Sequence, residues 1–424
     1  MKKIFGILIL VSISLFAREL TLEQAIQLAV DNSKDIKIAE ISKDISNLRL
    51  SKAFKTALPT VMYTGTYTAS EYYREISSSK GVRVNDQKSG YYQSIKITQP
   101  LFRGGAIIGG IKGAKSYQKI ADLQYMLTKV DIRIATIENY AEIIKNEDNL
   151  YGLKGALNEL KAVQKTQRNQ VSLNMLIEAD VLKTESSILE INSQIIEAQT
   201  NIAVQMELLR IKTGIPKNEV IKIKEFSVPK YLSKTIDFES DMRQARNDSI
   251  IALIAKHSVE MQDAAKKIAA SDLLPKVNLF ASYGTGSERT RYRKTIDEAS
   301  WQGGIEVSWN VFDFGSAHDD YKIAKLELEK EKMNAAKTDD SIDTTVTSAY
   351  LELSRLEKLR DSKEKAVIAA KQNFEIDRQR YEEGLISTTD YLRAEEIRRN
   401  AIIEHNQTVV KYMCAYERYR SLII

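Results

Sequence analysis

The chain has 424 residues, of which 62 are Lys or Arg and 57 are Asp or Glu, so its formal net charge is +5. Both signs are interspersed along the chain, which gives no electrostatic argument for nucleic-acid binding. The single cysteine, Cys414, excludes an intramolecular disulfide and lies far from any N-terminal lipidation position. We expect its side chain to be a small buried apolar group.

Residues 1–17 have the features of a secretory signal peptide: two lysines, a short apolar run, and Ala17 at a suitable cleavage position. The run is too short to cross a bilayer comfortably, and an N-terminal anchor is the alternative. No later stretch reaches the ~18 consecutive apolar residues of a transmembrane helix. The sequence therefore predicts an exported protein without a helical membrane span.

The chain is internally duplicated. Leu58-Pro59 recurs 216 residues later as Leu274-Pro275, and the Phe-x-x-Gly motif at 102–105 recurs 210 residues later at 312–315. Further matches at the offset of 210 are Tyr140 with Tyr350, Asp180 with Asp390 and Glu185 with Glu395. A constant offset over so many residues predicts two copies of one structural repeat.

Each repeat is predicted to contain two short helices, two strands and a hairpin of long helices. Period-2 alternation predicts strands at about 59–70 and 91–101, and again at about 275–286 and 300–311. Proline is absent from 101–215 and from 276–424, which permits long helical hairpins at 104–213 and 315–424. The expected domains are a first repeat at 18–213, a linker at 214–236 and a second repeat at 237–424.

The predicted strands are polar on one face and apolar on the other, with aromatic residues near their ends. This pattern is typical of a membrane barrel with a wet interior. A soluble four-stranded sheet packed on the helices would give the same alternation, so both remain open. Four strands cannot close a barrel, and several chains would have to share one; three chains would supply twelve strands.

The long helices show coiled-coil periodicity. Apolar positions in the second helix of the first hairpin step by three and four residues, which predicts a continuous seam. The seam positions are Val181, Thr184, Ile188, Ile191, Ile195, Ala198, Ile202, Gln205 and Leu209. In the preceding helix the phase breaks between residues 144 and 150, which predicts a change of packing partner along its length.

The stretch 381–393 is predicted to be a tight turn between two helices. Gly384 can end a helix in the left-handed conformation, and Ser387 followed by Asp390 forms a weak capping-box pattern. In the first repeat Asn174 occupies the position of Gly384, and Asn is the next-best residue for that conformation. Each repeat is therefore expected to end its hairpin in a similar tip.

This order of parts resembles the TolC family of outer-membrane efflux and export channel proteins. The resemblance covers essentially the whole mature chain. It rests on the Leu-Pro before each first strand, the Pro-Leu-Phe-Arg-Gly-Gly and Val-Phe-Asp-Phe-Gly junctions, and the Tyr-x-x-Gly-Leu-Ile-Ser…Asp tip. The resemblance implies a mainly α fold with a transmembrane β-barrel: a homotrimer whose twelve-stranded barrel continues into a twelve-helix coiled-coil periplasmic tunnel.

By the same resemblance, the chain is expected in the outer membrane of a Gram-negative cell, in contact with its lipid, with the helical part in the periplasm. It would conduct substrates passively to the exterior from a periplasmic adaptor protein and an inner-membrane transporter of RND, ABC or MFS type. A periplasmic coiled-coil scaffold without a pore is the alternative. A third possibility is a receptor or assembly factor that uses the same fold.

The resemblance also assigns residues at the tips. The residues assigned to adaptor docking are those of the two tips: Asn174, Met175, Leu176, Gly384, Leu385, Ile386 and Ser387. The alternative is that the apolar pair at each tip packs the turn against its own helices. A periplasmic gate is assigned to Asp390 and Tyr381, with Arg393 where the family pattern has a second Asp and Ile386 where it has an Arg. Asp180 and Lys183 are the first-repeat counterparts of Asp390 and Arg393.

The gate residues allow more than one interpretation. A ring of acidic groups and an Asp/Arg ring joined by interhelical ion pairs are both consistent with the sequence. Asp180 and Asp390 could also be first-turn carboxylates that the helix dipole favours, and for Asp180 we prefer that interpretation.

The sequence gives no argument for an enzyme. The three histidines, His257, His318 and His405, are far apart and have no metal-ligand spacing. No glycine pair has the strand-to-helix context of a nucleotide-binding motif. We therefore expect no catalytic residues, no metal and no cofactor.

Overall fold

The computed structural model of the protein describes residues 18–75, 83–225, 229–290, 294–296 and 299–423. The predicted signal peptide, residues 1–17, lies outside the described residues. The chain divides into two compact units. The described parts of the helical unit lie within Met1–Glu40, Gln124–Ala252 and Asp339–Ile424, and the sheet unit comprises the described parts of Ile41–Leu123 and Leu253–Thr338.

The elements of the first repeat are β1 (Arg18–Leu20), α1 (Leu22–Asn32), α2 (Lys34–Lys55), β2 (Thr60–Glu75), β3 (Arg83–Arg103), α3 (Ala106–Ser172) and α4 (Glu178–Thr213). The residues that follow form β4 (Ile221–Ile223) and a 3-10 turn (Leu232–Thr235). The second repeat consists of α5 (Phe238–Asp248), α6 (Ile250–Ser271), β5 (Lys276–Thr290), β6 (Lys294–Ile296), β7 (Ser300–Ser308), α7 (Ser316–Glu382) and α8 (Thr388–Ser421).

The two repeats have the same elements at the two sequence offsets. Helices α1 and α2 have 11 and 22 residues and recur 216 positions later as α5 and α6, with the same lengths. Helices α3 and α7 have 67 residues each and are 210 positions apart. Strand pairing agrees, because Thr60 faces Thr98 in one hairpin and Lys276 faces Ser308 in the other.

The long strands form an antiparallel sheet in the order β2-β3-β5-β7, with β6 also paired to β5. Strands β2 and β3 are longer than the predicted 59–70 and 91–101, and β7 ends at Ser308 instead of at residue 311. Side chains alternate between the faces as the period-2 pattern predicts. One face carries exposed large apolar groups: Val61, Tyr63, Tyr67, Tyr91, Ile95, Ile97, Leu279, Tyr283, Trp301, Ile305 and Val307.

The core of the helical unit follows the coiled-coil seam. In α4 the predicted seam positions Val181, Thr184, Ile188, Ile191, Ile195, Ala198 and Leu209 are buried, while Ile202 and Gln205 are half-buried. Ile188, Ile191, Ile195 and Ala198 pack in one cluster with Leu153, Ala156 and Leu160 of α3 and with Phe374 and Tyr391. Leu209 belongs to a second cluster that contains Tyr140. No described helix combines the length and apolar character needed to cross a membrane.

The segment predicted as a linker contains ordered structure. Strand β4 pairs in parallel with β1, and the two strands meet at the buried phenol of Tyr140. The Tyr140 hydroxyl lies 2.8 Å from the carbonyl oxygen of Leu20 and 2.6 Å from that of Lys224. Burial raises the pKa of Tyr140 to about 12, so the hydroxyl keeps its proton and can donate it.

Candidate functional site at the helix-hairpin tips

The second tip, residues 383–387, is a turn closed by the backbone. Gly384 adopts a φ of 74°, which an L residue reaches only with strain. The amide of Leu385 donates to the carbonyl of Arg380 at 2.8 Å, and the amide of Gly384 donates to that of Tyr381 at 3.0 Å. These two bonds form the Schellman motif that ends helices at a left-handed residue.

The first tip, residues 173–177, has the same geometry with a different residue at its centre. Asn174 has a φ of 56°. The amide of Met175 donates to the carbonyl of Gln170 at 2.8 Å, and the amide of Asn174 donates to that of Val171 at 3.0 Å. The prediction that Asn174 supports the same turn as Gly384 is consistent with this geometry, because Asn tolerates the left-handed region better than other side chains.

The helices that follow the two tips, α8 and α4, begin with different N-caps. Ser387 accepts a hydrogen bond from the amide of Asp390 at 3.2 Å and donates its hydroxyl proton to Oδ2 of Asp390 at 2.6 Å. The predicted N-cap is therefore present at this tip, but the capping box is incomplete, because Asp390 bonds to the hydroxyl of Ser387 and not to its backbone amide. At the first tip Ile177 occupies the N-cap position and provides no side-chain hydrogen bond. The carboxylate of Asp390 is thus bound to its own turn.

Within the part of one chain that the structure describes, the charged gate candidates form no ion pairs between different helices. Lys183 Nζ lies 3.1 Å from Oδ1 of Asp180, three residues earlier on α4. Asp390 and Arg393 are both exposed, and among the described residues no ion pair joins them. An ion-pair lock through Asp390 and Arg393 would therefore require a second copy of the chain, and the assignment of these residues to a gate stays a prediction.

Each tip has a pair of adjacent apolar residues, of which the first is exposed and the second is half-buried. Met175 and Leu385 are 72% and 69% exposed. Their neighbours Leu176 and Ile386 are half-buried, and Ile386 packs against the cluster that contains Tyr391. The half-buried residues suit the stapling interpretation, whereas Met175 and Leu385 are free to contact another protein.

Tyr381 joins the two hairpins just inside the second tip. Its hydroxyl oxygen accepts a hydrogen bond from Nε2 of Gln167 on α3 at 2.7 Å. The same Nε2 lies 3.3 Å from the hydroxyl of Thr388 on α8, and Gln167 is fully buried. The ring of Tyr381 stacks on that of Tyr391 with centroids 4.7 Å apart. Residues from α3, α7 and α8 therefore meet at one buried hydrogen-bonded cluster.

A buried ionic network continues from this cluster along α8. Tyr391 donates to Oε1 of Glu159 on α3 at 3.3 Å, and Arg398 donates to Oε2 of the same carboxylate at 2.8 Å. Glu395 is almost fully buried, 3.6 Å from Nε of Arg399. Burial raises the pKa of Glu395, and the nearby Arg399 and Arg398 partly offset that effect.

This network is absent from the predicted site, because the residue types Glu and Arg do not by themselves indicate burial. Thr388, Tyr391, Glu395 and Arg399 nevertheless follow one another at spacings of three, four and four, which is the spacing of a helix seam. That spacing was the available signal. Among the described residues no group of acidic, histidine or cysteine side chains could coordinate a metal ion.

The comparisons with known proteins agree with this architecture. Residues 243–407 match the family model of the outer membrane efflux proteins. The chain is similar to the CmeC outer membrane channel of Campylobacter jejuni, with a TM-score of 0.79, 18% identity, and coverage of 95% of this chain and 85% of that chain. The chain has the fold of the outer-membrane channels. The resemblance predicted from the sequence, and its mainly helical character, are confirmed.

Two further solved structures are similar over most of their length. The outer membrane protein VceC of Vibrio cholerae gives a TM-score of 0.80 at 14% identity, covering 95% of each chain. The open state of the MtrE outer membrane channel of Neisseria gonorrhoeae gives 0.63 at 16% identity, covering 95% of this chain and 88% of that one. No curated protein matches the chain by sequence. The matched family and structures are channels, not enzymes.

Proposed function

We propose that the chain is one subunit of a homotrimeric outer-membrane channel that conducts substrates passively from the periplasm to the exterior. Substrate would arrive from an inner-membrane transporter of RND, ABC or MFS type through a periplasmic adaptor. The two repeats at 18–213 and 237–424 would each contribute two strands to a twelve-stranded barrel and one hairpin to a twelve-helix tunnel. The helical part would lie in the periplasm of a Gram-negative cell.

The observation that carries this proposal is the exposed apolar face of the sheet. Eleven large apolar side chains on that face are exposed, and Trp301, Ile305 and Val307 are each more than 60% exposed. Because these side chains are 44–79% exposed, covering each would contribute a little over half of the about 1.5–3 kcal/mol of a fully exposed large apolar side chain. Their sum is comparable with or larger than the about 5–15 kcal/mol by which a typical protein is stable, so the face requires an apolar environment.

The opposite face is mostly polar, as a water-filled interior requires, although Met62 and Tyr92 are also exposed on it. Thr64, Thr66, Ser94 and Gln302 lie on it, and Lys96 lies 4.0 Å from Glu306. A soluble sheet packed on the helices would bury the apolar face, and the exposure of that face argues against this alternative. Lipid on the outside and water on the inside satisfy both faces at once.

The open strand edges support the proposal that several chains share one sheet. Among the described residues β2 pairs only with β3, and β7 only with β5, so each of these strands has an unpaired edge. Unpaired backbone groups are costly in hydrocarbon, and a closed ring of strands removes them. Three copies give twelve strands, and the four long helices of each copy give twelve helices.

The tips supply the contacts with the other components. Met175 and Leu385 would dock the adaptor, together with the surrounding turn residues. Tyr381 and its hydrogen bonds, with Asp390, Arg393, Asp180 and Lys183 nearby, would close the periplasmic end at rest. The polar lumen offers passage without a specific site, so the driving force would come from the transporter.

Membrane fractionation tests the proposal. We expect the mature protein in the outer-membrane fraction, resistant to extraction by alkaline carbonate. Its mass in detergent should equal three chains. Recovery of the protein from the soluble periplasmic fraction would contradict the proposal and would favour the scaffold without a pore.

A further inference from the structure

We infer that the polar face of the sheet carries a binding site for organic cations. The ring of Phe280 and the carboxylate of Glu306 form the site, and the ammonium group of Lys96 occupies it. The inference rests on the proposed function, in which this face lines the lumen. It deepens that function, because it names the chemical class that one place on the wall of an otherwise unspecific passage would favour.

The ring of Phe280 leans over the neighbouring strand on the polar face. Phe280 of β5 is paired with Gly304 of β7. A Cβ atom added to Gly304 would lie 3.5 Å from Cε1 and 3.6 Å from Cζ of the ring, which is van der Waals contact. The ring therefore occupies space that a large side chain at position 304 would fill, and the glycine keeps that space free for it.

Lys96 shows where a positive charge lies against this ring. Its Nζ lies over the ring of Phe280, 5.1 Å from the centroid. Cations are attracted to an aromatic face within about 6 Å of the centroid. The same Nζ is 4.0 Å from Oε2 of Glu306. An aromatic face and a carboxylate therefore converge on one position, and a side chain of the protein itself demonstrates that a cation fits there.

The contacts that hold Lys96 in this position are weak. The side chains of Lys96 and Glu306 are 40% and 50% exposed, and the distance of 4.0 Å between their charged atoms is too long for a hydrogen bond. Ion pairs with this exposure contribute little to stability, because solvent screens them and a long side chain loses entropy when it is held in one conformation. A cation from solution can therefore displace the ammonium group of Lys96 at small cost.

An organic cation suits these contacts better than a bare ammonium group does. The lysine ammonium is a compact, strongly hydrated charge, whereas quaternary ammonium groups are the ligands that aromatic faces recognise in proteins. Met62 is paired with Lys96 across β2 and β3 and is 58% exposed. Its polarisable thioether offers a contact to the apolar part of such a ligand.

Other charged ligands fit the site less well. A metal ion would need several oxygen ligands, and no group of acidic, histidine or cysteine side chains in the described part of the chain could supply them. An anion could pair with Lys96, but it would also meet the carboxylate of Glu306 and the negative face of the aromatic ring. The site therefore favours an organic cation.

The chain provides a matched control on the opposite, apolar face. Tyr63 of β2 also lies against a glycine, since a Cβ atom added to Gly65 would lie 3.5 Å from Cε1 and 3.6 Å from Cζ of its ring. The rings of Tyr63 and Phe280 are thus at the same distances from a glycine but on different faces of the sheet. Replacing Tyr63 removes an aromatic ring without touching the site.

Thiol labelling tests the site without requiring conduction. In a Cys414→Ser background, Ser282→Cys places a thiol on the polar face, where residue 282 is paired with Lys96 and is two positions from Phe280. The probe is trimethylammonioethyl methanethiosulfonate, a quaternary ammonium that forms a disulfide with the thiol and releases methanesulfinate. Its labelling rate is divided by that of the neutral hydroxyethyl methanethiosulfonate, so that changes in access to the thiol cancel.

We expect this ratio to fall about two- to fivefold when Phe280→Leu is added, which is the factor that one exposed cation–π contact contributes. Glu306→Gln should also lower the ratio, and Lys96→Met should raise it by removing the resident ammonium group. Phe280→Tyr and Tyr63→Leu are the controls, and both should retain the parent ratio. An unchanged ratio in Phe280→Leu, or an equal fall in Tyr63→Leu, would overturn the inference.

Competition gives a second measurement that needs no change at Phe280. Tetraethylammonium chloride should slow the cationic reagent on the Ser282→Cys protein more than sodium chloride of the same ionic strength does, and it should leave the neutral reagent unaffected. Equal slowing by the two salts would contradict the site.

Membrane fractionation separates this inference from the proposed function. All residues of the site belong to one chain, so the labelling ratio can be measured whatever the oligomeric state. An outer-membrane trimer whose ratio is unchanged by Phe280→Leu refutes the site and leaves the channel proposal intact. A soluble periplasmic protein whose ratio falls with Phe280→Leu refutes the channel and supports the site.

Discussion

Removing one hydroxyl group at the second tip tests whether the hydrogen bonds around Tyr381 keep the two hairpins together. The Tyr381→Phe substitution retains the ring, which stacks on Tyr391 at 4.7 Å. It removes the acceptor of the Gln167 amide and a longer contact, of 3.5 Å, with the hydroxyl of Thr388. Gln167 Nε2 would then have only the hydroxyl of Thr388, at 3.3 Å. The change is therefore confined to the hydrogen bonds of one hydroxyl group.

The expected magnitude follows from that contact. A neutral hydrogen bond contributes a net ~0.5–1.5 kcal/mol, and a buried donor left without a good partner costs ~1–3 kcal/mol. Because Thr388 partly replaces the lost acceptor, we expect a cost of about 1–2 kcal/mol for the closed tip. That corresponds to a factor of roughly 5–30 in the ratio of loosened to closed tips.

Single-channel recording in planar bilayers measures this ratio as an open probability. We expect Tyr381→Phe to raise the open probability by roughly 5–30-fold over the parent protein, following that free-energy difference. The matched control is Tyr151→Phe, since Tyr151 is on the same helix as Gln167 but is 85% exposed, and we expect no change. A trimeric Tyr381→Phe protein with the parent open probability would refute the gating role of this cluster.

Three further results are expected. Gly384→Ala should lower the free energy of unfolding, measured by thermal denaturation, by about 1–2 kcal/mol, because the left-handed φ is strained for a residue with a Cβ atom. Asn174→Gly is the control and should not destabilise the protein. Equal stability of Gly384→Ala and the parent protein would contradict the turn assignment. Leu385→Asp should abolish transport without loss of the trimer, whereas the control Leu385→Met should retain transport. Loss of the trimer in Leu385→Asp would instead indicate that Leu385 packs the turn against its own helices. Cys414, predicted to be buried, is half-buried in the structure. Its partial burial raises its pKa from an ordinary 9.0 to about 11, so its maleimide labelling at pH 8 should be roughly ten- to a hundredfold slower in the folded protein than after denaturation; equal rates would contradict that burial.

Much of the fold could be predicted because its signals are local and repeated. Alternation over ten or more residues identified the strands, and the absence of proline together with apolar residues at three and four spacing identified the long helices. The tip turns were predictable from Gly384 and Ser387, since the left-handed conformation and the N-cap each favour few residue types. The duplication then supported each element with its counterpart.

Other features could not be predicted because they depend on contacts between distant parts of the chain. Strands β1 and β4 have three residues each, which is too short to show a period, and their pairing joins positions about two hundred residues apart. The phenol of Tyr140 bonds to Leu20 of β1 and to Lys224, the residue after β4, whereas its counterpart Tyr350 packs against Phe238. Neither role is visible in the residue type alone.

The candidate site also has features that the sequence alone does not specify. The exposed and half-buried roles of Leu385 and Ile386 depend on the orientation of the turn, which the sequence does not specify. Glu395 and Arg399 are charged residues of a kind usually found on the surface, yet they occupy buried seam positions, where their ion pair only partly offsets the cost of burial. Charged residues at seam spacing are therefore worth testing as buried pairs in helices of this length.

The most direct test of the central claim is the conductance of the purified protein in a planar bilayer. The channel proposal predicts small currents that are closed most of the time and that increase when Asp390 and Arg393 are both replaced by Ala. Currents of the same size in that variant would count against a role of these two residues in closure. A trimeric protein that inserts into the bilayer and never conducts, in either form, would contradict the channel itself.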